Sequence, residues 1–298
     1  MTRAAGRLYQ VLEVKPNVFV WDPEDVIESV GDPEYERAGN AAFVITSDGV
    51  VIVNATNSPF HAREMLYEIR QRTSQPVRYL IDTGSAGDET LGNEVFADLE
   101  APILSTPGIQ QEVEGLQHAF VQRSAGDDRF QRRIRGIHVK PPNETFQGEK
   151  QLVVGGQTFR LISFEPGLRA MAVDVPSARV AFLGDLFQNH FIPHLEARDI
   201  HQWIQALREA EAWDVDIYVP GHGEPAGRKE VGEFRQFLEW LANEVQARVT
   251  EGKSLAETQA ELVPFKSEDW HATELEPELV AGLYEQLARS AKARAPGH

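Results

Sequence analysis

The chain has 298 residues, of which 42% are apolar and 25% charged, which is typical of a globular protein with a sizeable core. Its 29 lysines and arginines and 46 aspartates and glutamates give a net charge of −17, which argues against nucleic-acid and anionic-membrane partners. The absence of cysteine excludes disulfides, thiolate metal sites and cysteine nucleophiles. Because neither a signal-peptide core nor an 18-residue apolar run is present, we expect a cytoplasmic protein.

The first half of the chain alternates between strand and helix patterns. Two β-branched runs flank Ser47-Asp48-Gly49 and predict a hairpin. Ser58 is the expected N-cap of an amphipathic helix that starts at Pro59. The predicted elements, in chain order, are strands within 8–21, a hairpin over 41–56, a helix over 58–73, a strand over 76–82, a helix over 89–99 and a strand over 101–104.

The segment from 106 to 140 is less regular, and it contains the charged stretch 122–136. A pair of solvated helices is one interpretation, because charge runs usually face water. A lid over a pocket is the other interpretation.

The second half again places strands before helices. Its predicted elements are a hairpin over 150–164, a hairpin over 170–185, a helix over 199–212, a strand over 215–221, a long helix over 227–250, and helices over 254–262 and 276–292. Strands followed by helices, twice along the chain, predict two packed sheets with helices outside.

Three polar sites follow predicted strands and could carry chemistry. They are the pair Asp88-Glu89, Asp185 after an apolar run, and His222 in a glycine-flanked turn. Carboxylates and imidazoles at strand ends are suitable metal ligands, and flanking glycines allow close approach of the backbone. Each also has a structural explanation. Asp88 could cap a helix, Glu89 could be a solvated first-turn residue, Asp185 a turn residue and His222 an ordinary histidine.

Taken together, four segments resemble the metallo-β-lactamase-fold hydrolase superfamily. They are AGNAAFVITSDGVVIVNAT, PVRYLIDTGSAGDETLGNEVF, VAFLGDLF and VPGHG, and the resemblance covers nearly the whole chain. It implies a fold of class α/β, a four-layer αββα sandwich with the site at one edge of the two sheets and extra C-terminal helices. We expect the αββα domain over 1–240, and a helical extension over 241–298 packed on that domain.

The chain departs from the family's ligand pattern at four of seven positions. The resemblance places these positions, in chain order, on Gly84, Ala86, Asp88, Glu89, the stretch 165–167, Asp185 and His222. One of the family's two metal sites is thus erased, since its three histidine positions hold no histidine. The other keeps four candidate metal ligands, namely Asp88, Glu89, Asp185 and His222, with glutamate in place of a histidine. Asn54 falls where relatives often carry a supporting aspartate.

Three carboxylates and one imidazole form a hard ligand set, which predicts a single divalent ion, Mn²⁺, Fe²⁺ or Zn²⁺, with no cofactor at all as the alternative. We expect Asp88 and Asp185 to be catalytic, with Glu165 as a further candidate general base. An arginine in the cleft, such as Arg169, would instead favour a metal-free site. The expected substrate pocket consists of Gly84, Ser85, Ala86, His190 and His194.

The favoured hypothesis is a hydrolase that cleaves a small-molecule ester, lactone, amide or related bond through a single metal-bound water. One alternative is a metal-free pseudoenzyme or binding protein. Another is a metal-independent lyase, dehalogenase or isomerase that uses the same cleft. A small-molecule substrate is the expected partner, and assembly into a homo-oligomer is left open.

Overall fold

A computed structural model of the protein describes residues 9–22, 39–126, 134–193, 198–262, 275 and 277–294. Two β-sheets pack face to face, and helices cover the outer face of each sheet. This is the predicted αββα sandwich.

The first sheet has seven strands whose spatial order is their chain order. Its first four strands pair antiparallel, and the remaining pairs are parallel. The strands are β1 (Gln10–Lys15), β2 (Val18–Asp22), β3 (Ala41–Ile45), β4 (Val50–Val53), β5 (Val77–Ile81), β6 (Ile103–Ser105) and β7 (Glu144–Thr145).

The second sheet has five strands in the order β12-β11-β10-β9-β8. Strands β8 to β11 pair antiparallel, and β12 pairs parallel to β11. The strands are β8 (Glu149–Val154), β9 (Gln157–Ser163), β10 (Met171–Val175), β11 (Val180–Gln188) and β12 (Ile217–His222).

The helices fall into two groups. Those of the first half are α1 (Pro59–Arg72), α2 (Gly87–Thr90), α3 (Asn93–Ala97) and α4 (Pro107–Ser124). Those of the second half are α5 (Ile200–Glu211), α6 (Arg228–Thr250), α7 (Leu255–Glu261) and α8 (Pro277–Arg294). No helix within the described ranges is long and apolar enough to cross a membrane.

Three apolar clusters lie between the layers. The middle cluster joins side chains of both sheets, such as Val51 and Phe182. The first outer cluster packs α1 and α3 on the first sheet, and the second packs α5, α6 and α8 on the second sheet. Because the inner strands are covered on both faces, every residue of β2, β4 and β10 is buried.

Most of the predicted elements are confirmed, and the exceptions have local causes. The predicted helix over 89–99 is wrong as a single element, since α2 and α3 are separated at Gly92. An ideal Cβ on Gly92 would overlap the carbonyl oxygen of Ala55, so the chain packs there at a distance that only glycine allows. The charged stretch 122–136 lies partly outside the described residues. The domain boundary at 240, which falls inside α6, stays a prediction.

Candidate active site

The site lies where the loop after β5 meets the ends of β11 and β12. Asn40, just before β3, links the two sheets there, because its side-chain Nδ2 donates to the carbonyls of Pro220 (3.0 Å) and Gly223 (2.8 Å). Its backbone N–H also donates to the carbonyl of Gly221 at 2.7 Å. The turn that carries His222 is therefore fixed to the first sheet by backbone and side-chain bonds.

Glu89 points into the protein and is only 1% exposed. Its Oε1 accepts hydrogen bonds from Asn54 Nδ2 (2.9 Å) and Thr83 Oγ1 (3.1 Å). Its Oε2 is buried and has no hydrogen-bond partner among the described residues. The alternative of a solvated first-turn glutamate is therefore wrong, and Asn54 serves as a direct support of this carboxyl group.

The surroundings of Glu89 favour its neutral form. Burial raises the pKa of this carboxyl well above its ordinary value, and the nearby Asp185 and Asp88 carboxylates raise it further. The Arg198 guanidinium and the Thr83 hydrogen bond act in the opposite direction. A cation beside Oε2 would remove the cost of the charged form.

His222 stands between the two aspartates. Its Nε2 lies 3.0 Å from Asp88 Oδ2 and 3.8 Å from Asp185 Oδ1. Glycines surround these oxygens: an ideal Cβ on Gly221 would overlap Asp185 Oδ1, and one on Gly39 would lie 3.0 Å from Asp88 Oδ2. Asp88 does not cap a helix, because α2 starts at Gly87.

Asp185 is paired with an arginine that the sequence analysis did not single out. Arg198 Nη1 donates to the Asp185 backbone carbonyl at 2.9 Å, and its Nη2 lies 3.5 Å from Asp185 Oδ2. Asp185 Oδ1 is buried and has no hydrogen-bond partner within the described ranges. The two oxygens of one carboxylate thus face different surroundings.

Arg169, whose presence in the cleft would have favoured a metal-free site, lies elsewhere. It pairs with Glu112 of α4, and its side chain is 61% exposed. Glu112 also accepts the hydroxyl of Ser85, so Ser85 contacts α4. Arg169 therefore does not fill the cleft, because its guanidinium is engaged at the surface, and the cation that contacts Asp185 is Arg198.

The described contacts of Glu165 are at the start of a helix, and none of them is with Asp185 or His222. Its Oε1 accepts hydrogen bonds from Thr106 Oγ1 and from the backbone N–H of Gly108 at 2.8 Å, at the start of α4. This satisfies a backbone donor that a helix N-terminus leaves free. Its role as a general base stays a prediction.

The expected substrate-pocket residues are only partly brought together. Gly84 is buried, and the space beside it is filled, since an ideal Cβ there would overlap Glu89 Oε2. Ser85 and Ala86 are half-buried on the same loop. His190 follows β11 with a φ of 62°, two residues after Gln188, which pairs with His222 in the sheet. His194 lies outside the described residues.

The carboxylates and imidazole of the site are the types of donor that bind a hard divalent ion. In the present side-chain arrangement they are not grouped around one point. Two buried carboxylate oxygens, Glu89 Oε2 and Asp185 Oδ1, have no hydrogen-bond partner in the part of the chain that the structure describes. His222 Nε2 lies 3.8 Å from Asp185 Oδ1 and 3.0 Å from the Asp88 carboxylate. As the side chains stand, however, no three or more His, Asp or Glu residues of the described ranges are grouped so that they could hold a metal ion.

Comparison with protein-family models and with curated protein sequences gives no match. Comparison with solved structures gives many. A metallo-β-lactamase from Pontibacter korlensis superposes with a TM-score of 0.59 at 16% identity, over 78% of this chain and 99% of that one. The metallo-β-lactamase DIM-1 superposes with a TM-score of 0.60 at 17% identity, over 78% of this chain and 98% of that one.

The sec-alkylsulfatase Pisa1 from Pseudomonas sp. superposes with a TM-score of 0.71 at 16% identity. This match covers 97% of the present chain but 52% of Pisa1, so the chain spans about half the length of that enzyme. The match extends over the C-terminal helices as well as the sandwich. The chain therefore has the metallo-β-lactamase fold.

Proposed function

We propose that the protein is a hydrolase that acts on a small-molecule ester, lactone, amide or related bond, with one divalent ion bound in the cleft. The observation that carries this proposal is that His222 Nε2 lies 3.0 Å from Asp88 Oδ2 and 3.8 Å from Asp185 Oδ1, and that Asp185 Oδ1 and the buried Glu89 Oε2 have no hydrogen-bond partner among the described residues. The similarity in fold to β-lactamases and to an alkylsulfatase supports the class of reaction.

Asp88, Asp185 and His222 would hold the ion, with Glu89 Oε2 as a fourth donor. When bound, such an ion would act as a Lewis acid and make water a better nucleophile near neutral pH. The carboxylate donors give up more charge than imidazoles, so the ion alone would acidify water weakly and a base is needed. Asp185 is the best-placed base, because its Oδ1, which has no hydrogen-bond partner among the described residues, could hold the ion while Oδ2, which lies 3.5 Å from Arg198 Nη2, accepts the proton.

The remaining polar residues orient these groups. Asn54 and Thr83 fix Glu89 Oε1, which leaves Oε2 as the only oxygen of that carboxyl that could receive an ion or a proton. Thr83 itself is fixed, because Asn54 Oδ1 accepts its backbone N–H at 2.9 Å. These hydrogen bonds among Asn54, Thr83 and Glu89 hold the site in one arrangement before any ligand binds.

The test combines metal content with activity. We would measure metals by mass spectrometry in protein purified without added metal or chelator, beside Asp185→Asn and the control Asp216→Asn. Asp216 is an exposed carboxylate that pairs with Lys15 and Arg179 before β12 begins. About one equivalent of a transition metal in the wild type and the control, lost in Asp185→Asn together with hydrolysis in an ester and lactone screen, is the expected result.

A second candidate is a metal-free protein that binds or converts a small molecule in the same cleft. The ion pair of Arg198 with Asp185 favours it, since an internal cation already balances part of the negative charge. No metal in any variant, and no uptake of Mn²⁺, Fe²⁺ or Zn²⁺ when they are offered, would refute the proposed hydrolase. The next experiment would then be a search for bound ligands.

A further inference from the structure

The site contains the guanidinium of Arg198, a side chain that the sequence analysis did not place there. The Arg198 side chain is 12% exposed, and its guanidinium meets Asp185 twice, at the backbone carbonyl and near Oδ2. Its Cζ also lies 5.1 Å from the ring centroid of Trp203, a cation–π distance.

The surroundings hold this guanidinium in place. Trp203 is fully buried, and its Nε1 donates to the Leu186 carbonyl at 2.7 Å, so the ring that supports Arg198 is itself fixed to β11. The carbonyl of Arg198 accepts a hydrogen bond from Gln286 of α8 at 2.9 Å. Asp199, the next residue, caps α5 through its side chain. The chain around Arg198 is therefore tied to three elements.

We propose that Arg198 is a positioning residue, the resident counter-ion of Asp185, which orients this carboxylate and weakens the binding of a divalent ion to it. The inference rests on the proposed function, because it assigns Asp185 Oδ1 to the ion. Asp185 Oδ2 is directed to Arg198, whereas Oδ1 lies 3.8 Å from His222 Nε2. The carboxylate thus presents one oxygen to the fixed cation and the other to the ion site.

Charge explains the direction of the effect. Asp88, Glu89 and Asp185 could together place three negative charges in the cleft, and a buried guanidinium offsets one of them whether or not an ion is bound. The same positive charge repels an incoming divalent cation that shares Asp185. Arg169 does not serve this purpose, since it is exposed and paired with Glu112.

The experiment is a calorimetric titration of metal-free protein with Mn²⁺ alone. Arg198→Met removes the charge and keeps a long apolar side chain, Arg198→Lys keeps the charge, and Arg169→Met is the control for loss of an arginine elsewhere. We expect Arg198→Met to bind Mn²⁺ about tenfold more tightly than the wild type, because a unit charge a few Å away is removed. The other two variants should bind as the wild type does. An unchanged or weaker affinity of folded Arg198→Met would overturn the proposal.

A thermal-unfolding cycle gives a readout that needs no metal. Arg198→Met should lower the melting temperature more in the wild-type background than in Asp185→Asn, where only the hydrogen bond to the residue-185 carbonyl and the contact with Trp203 are lost. Equal shifts in both backgrounds would contradict the proposal. If the wild type binds no Mn²⁺ while Arg198→Met does, the proposed hydrolase fails and the role of Arg198 stands. If the wild type binds Mn²⁺ and the variant matches it, only the role of Arg198 fails.

Discussion

The carboxyl group of Glu89 fills the space that a side chain on residue 84 would need. An ideal Cβ on Gly84 would overlap Glu89 Oε2, and Glu89 Oε1 is fixed by Asn54 and Thr83. The two departures from the family pattern are therefore physically coupled, because a larger residue at 84 excludes the inward carboxyl at 89. Glycine at position 84 leaves room for the Glu89 side chain. The space beside Gly84 is therefore filled and is not open to a substrate.

This coupling predicts the effect of Gly84→Ala. The φ of Gly84 is not positive, so the backbone accepts alanine, but the new methyl must displace a buried and hydrogen-bonded carboxyl. We expect a loss of about 2 kcal/mol in the free energy of unfolding, as for overpacked cores. Urea denaturation measures it. In a Glu89→Ala background the same change should cost much less, and an equal cost in both backgrounds would show that the two sites are independent.

A second prediction concerns Glu89 itself. Glu89→Gln keeps an oxygen that can accept from Asn54 and Thr83, so its unfolding free energy should stay within about 1 kcal/mol of the wild type. Glu89→Ala leaves the buried Asn54 amide without this acceptor and creates a cavity, and should cost about 3 kcal/mol. The difference between the two variants in urea denaturation measures the hydrogen bonds to Oε1 and the filled volume together. Equal losses would show that neither contributes to stability.

The third prediction is a dependence of stability on pH that originates at Asp82. Burial raises the pKa of this carboxyl to about 8, more than its hydrogen bond from Asn93 lowers it. Since the folded state holds the proton more tightly than the unfolded state, this stabilisation is fully present below the unfolded pKa of about 4. It is lost as pH rises through about 8, and the loss is on the order of 4 kcal/mol between pH 5 and 8.

Asp82→Asn is the matched variant for this effect, because an amide keeps an oxygen to accept from Asn93 and cannot ionise. Asp174 and Glu89 also have raised pKa values and contribute a slope of the same sign, so the wild-type curve alone is not decisive. The measured quantity is the difference between wild type and variant in urea denaturation from pH 5 to 8. Parallel curves would show that Asp82 ionises normally in the folded protein.

Strands, turns and helix ends that depend on a local residue pattern could be predicted from the sequence. The three predicted hairpins are confirmed in β3–β4, β8–β9 and β10–β11, and Ser58 caps α1 by accepting from the N–H of His61. In each case the signal lies within a few residues of its effect. The polar residues at strand ends were also predictable, because the parallel pairs β4–β5 and β11–β12 direct their carboxyl ends to the site.

Contacts between residues that are far apart in the sequence could not be predicted. Arg198 lies 13 positions after Asp185 in the sequence, and no spacing rule points to their contact. The break at Gly92 depends on its close approach to Ala55, 37 positions earlier. The sequence indicates only that Asn54 falls where relatives often carry a supporting aspartate, and the fold shows its amide fixing Glu89. Each of these is a tertiary contact without a local signature.

The last prediction separates a structural role of Glu165 from a catalytic one. Its Oε1 accepts from Thr106 and from the Gly108 N–H at the start of α4, so Glu165→Ala should lower the free energy of unfolding by about 1 kcal/mol, as the loss of a helix cap does. Glu165→Gln keeps an acceptor oxygen and should be close to the wild type in stability. If Asp185 is the base, Glu165→Gln should also hydrolyse the best ester or lactone substrate within about threefold of the wild-type rate. A loss of about a hundredfold or more in a stably folded Glu165→Gln, measured beside Asp185→Asn, would instead make Glu165 the general base.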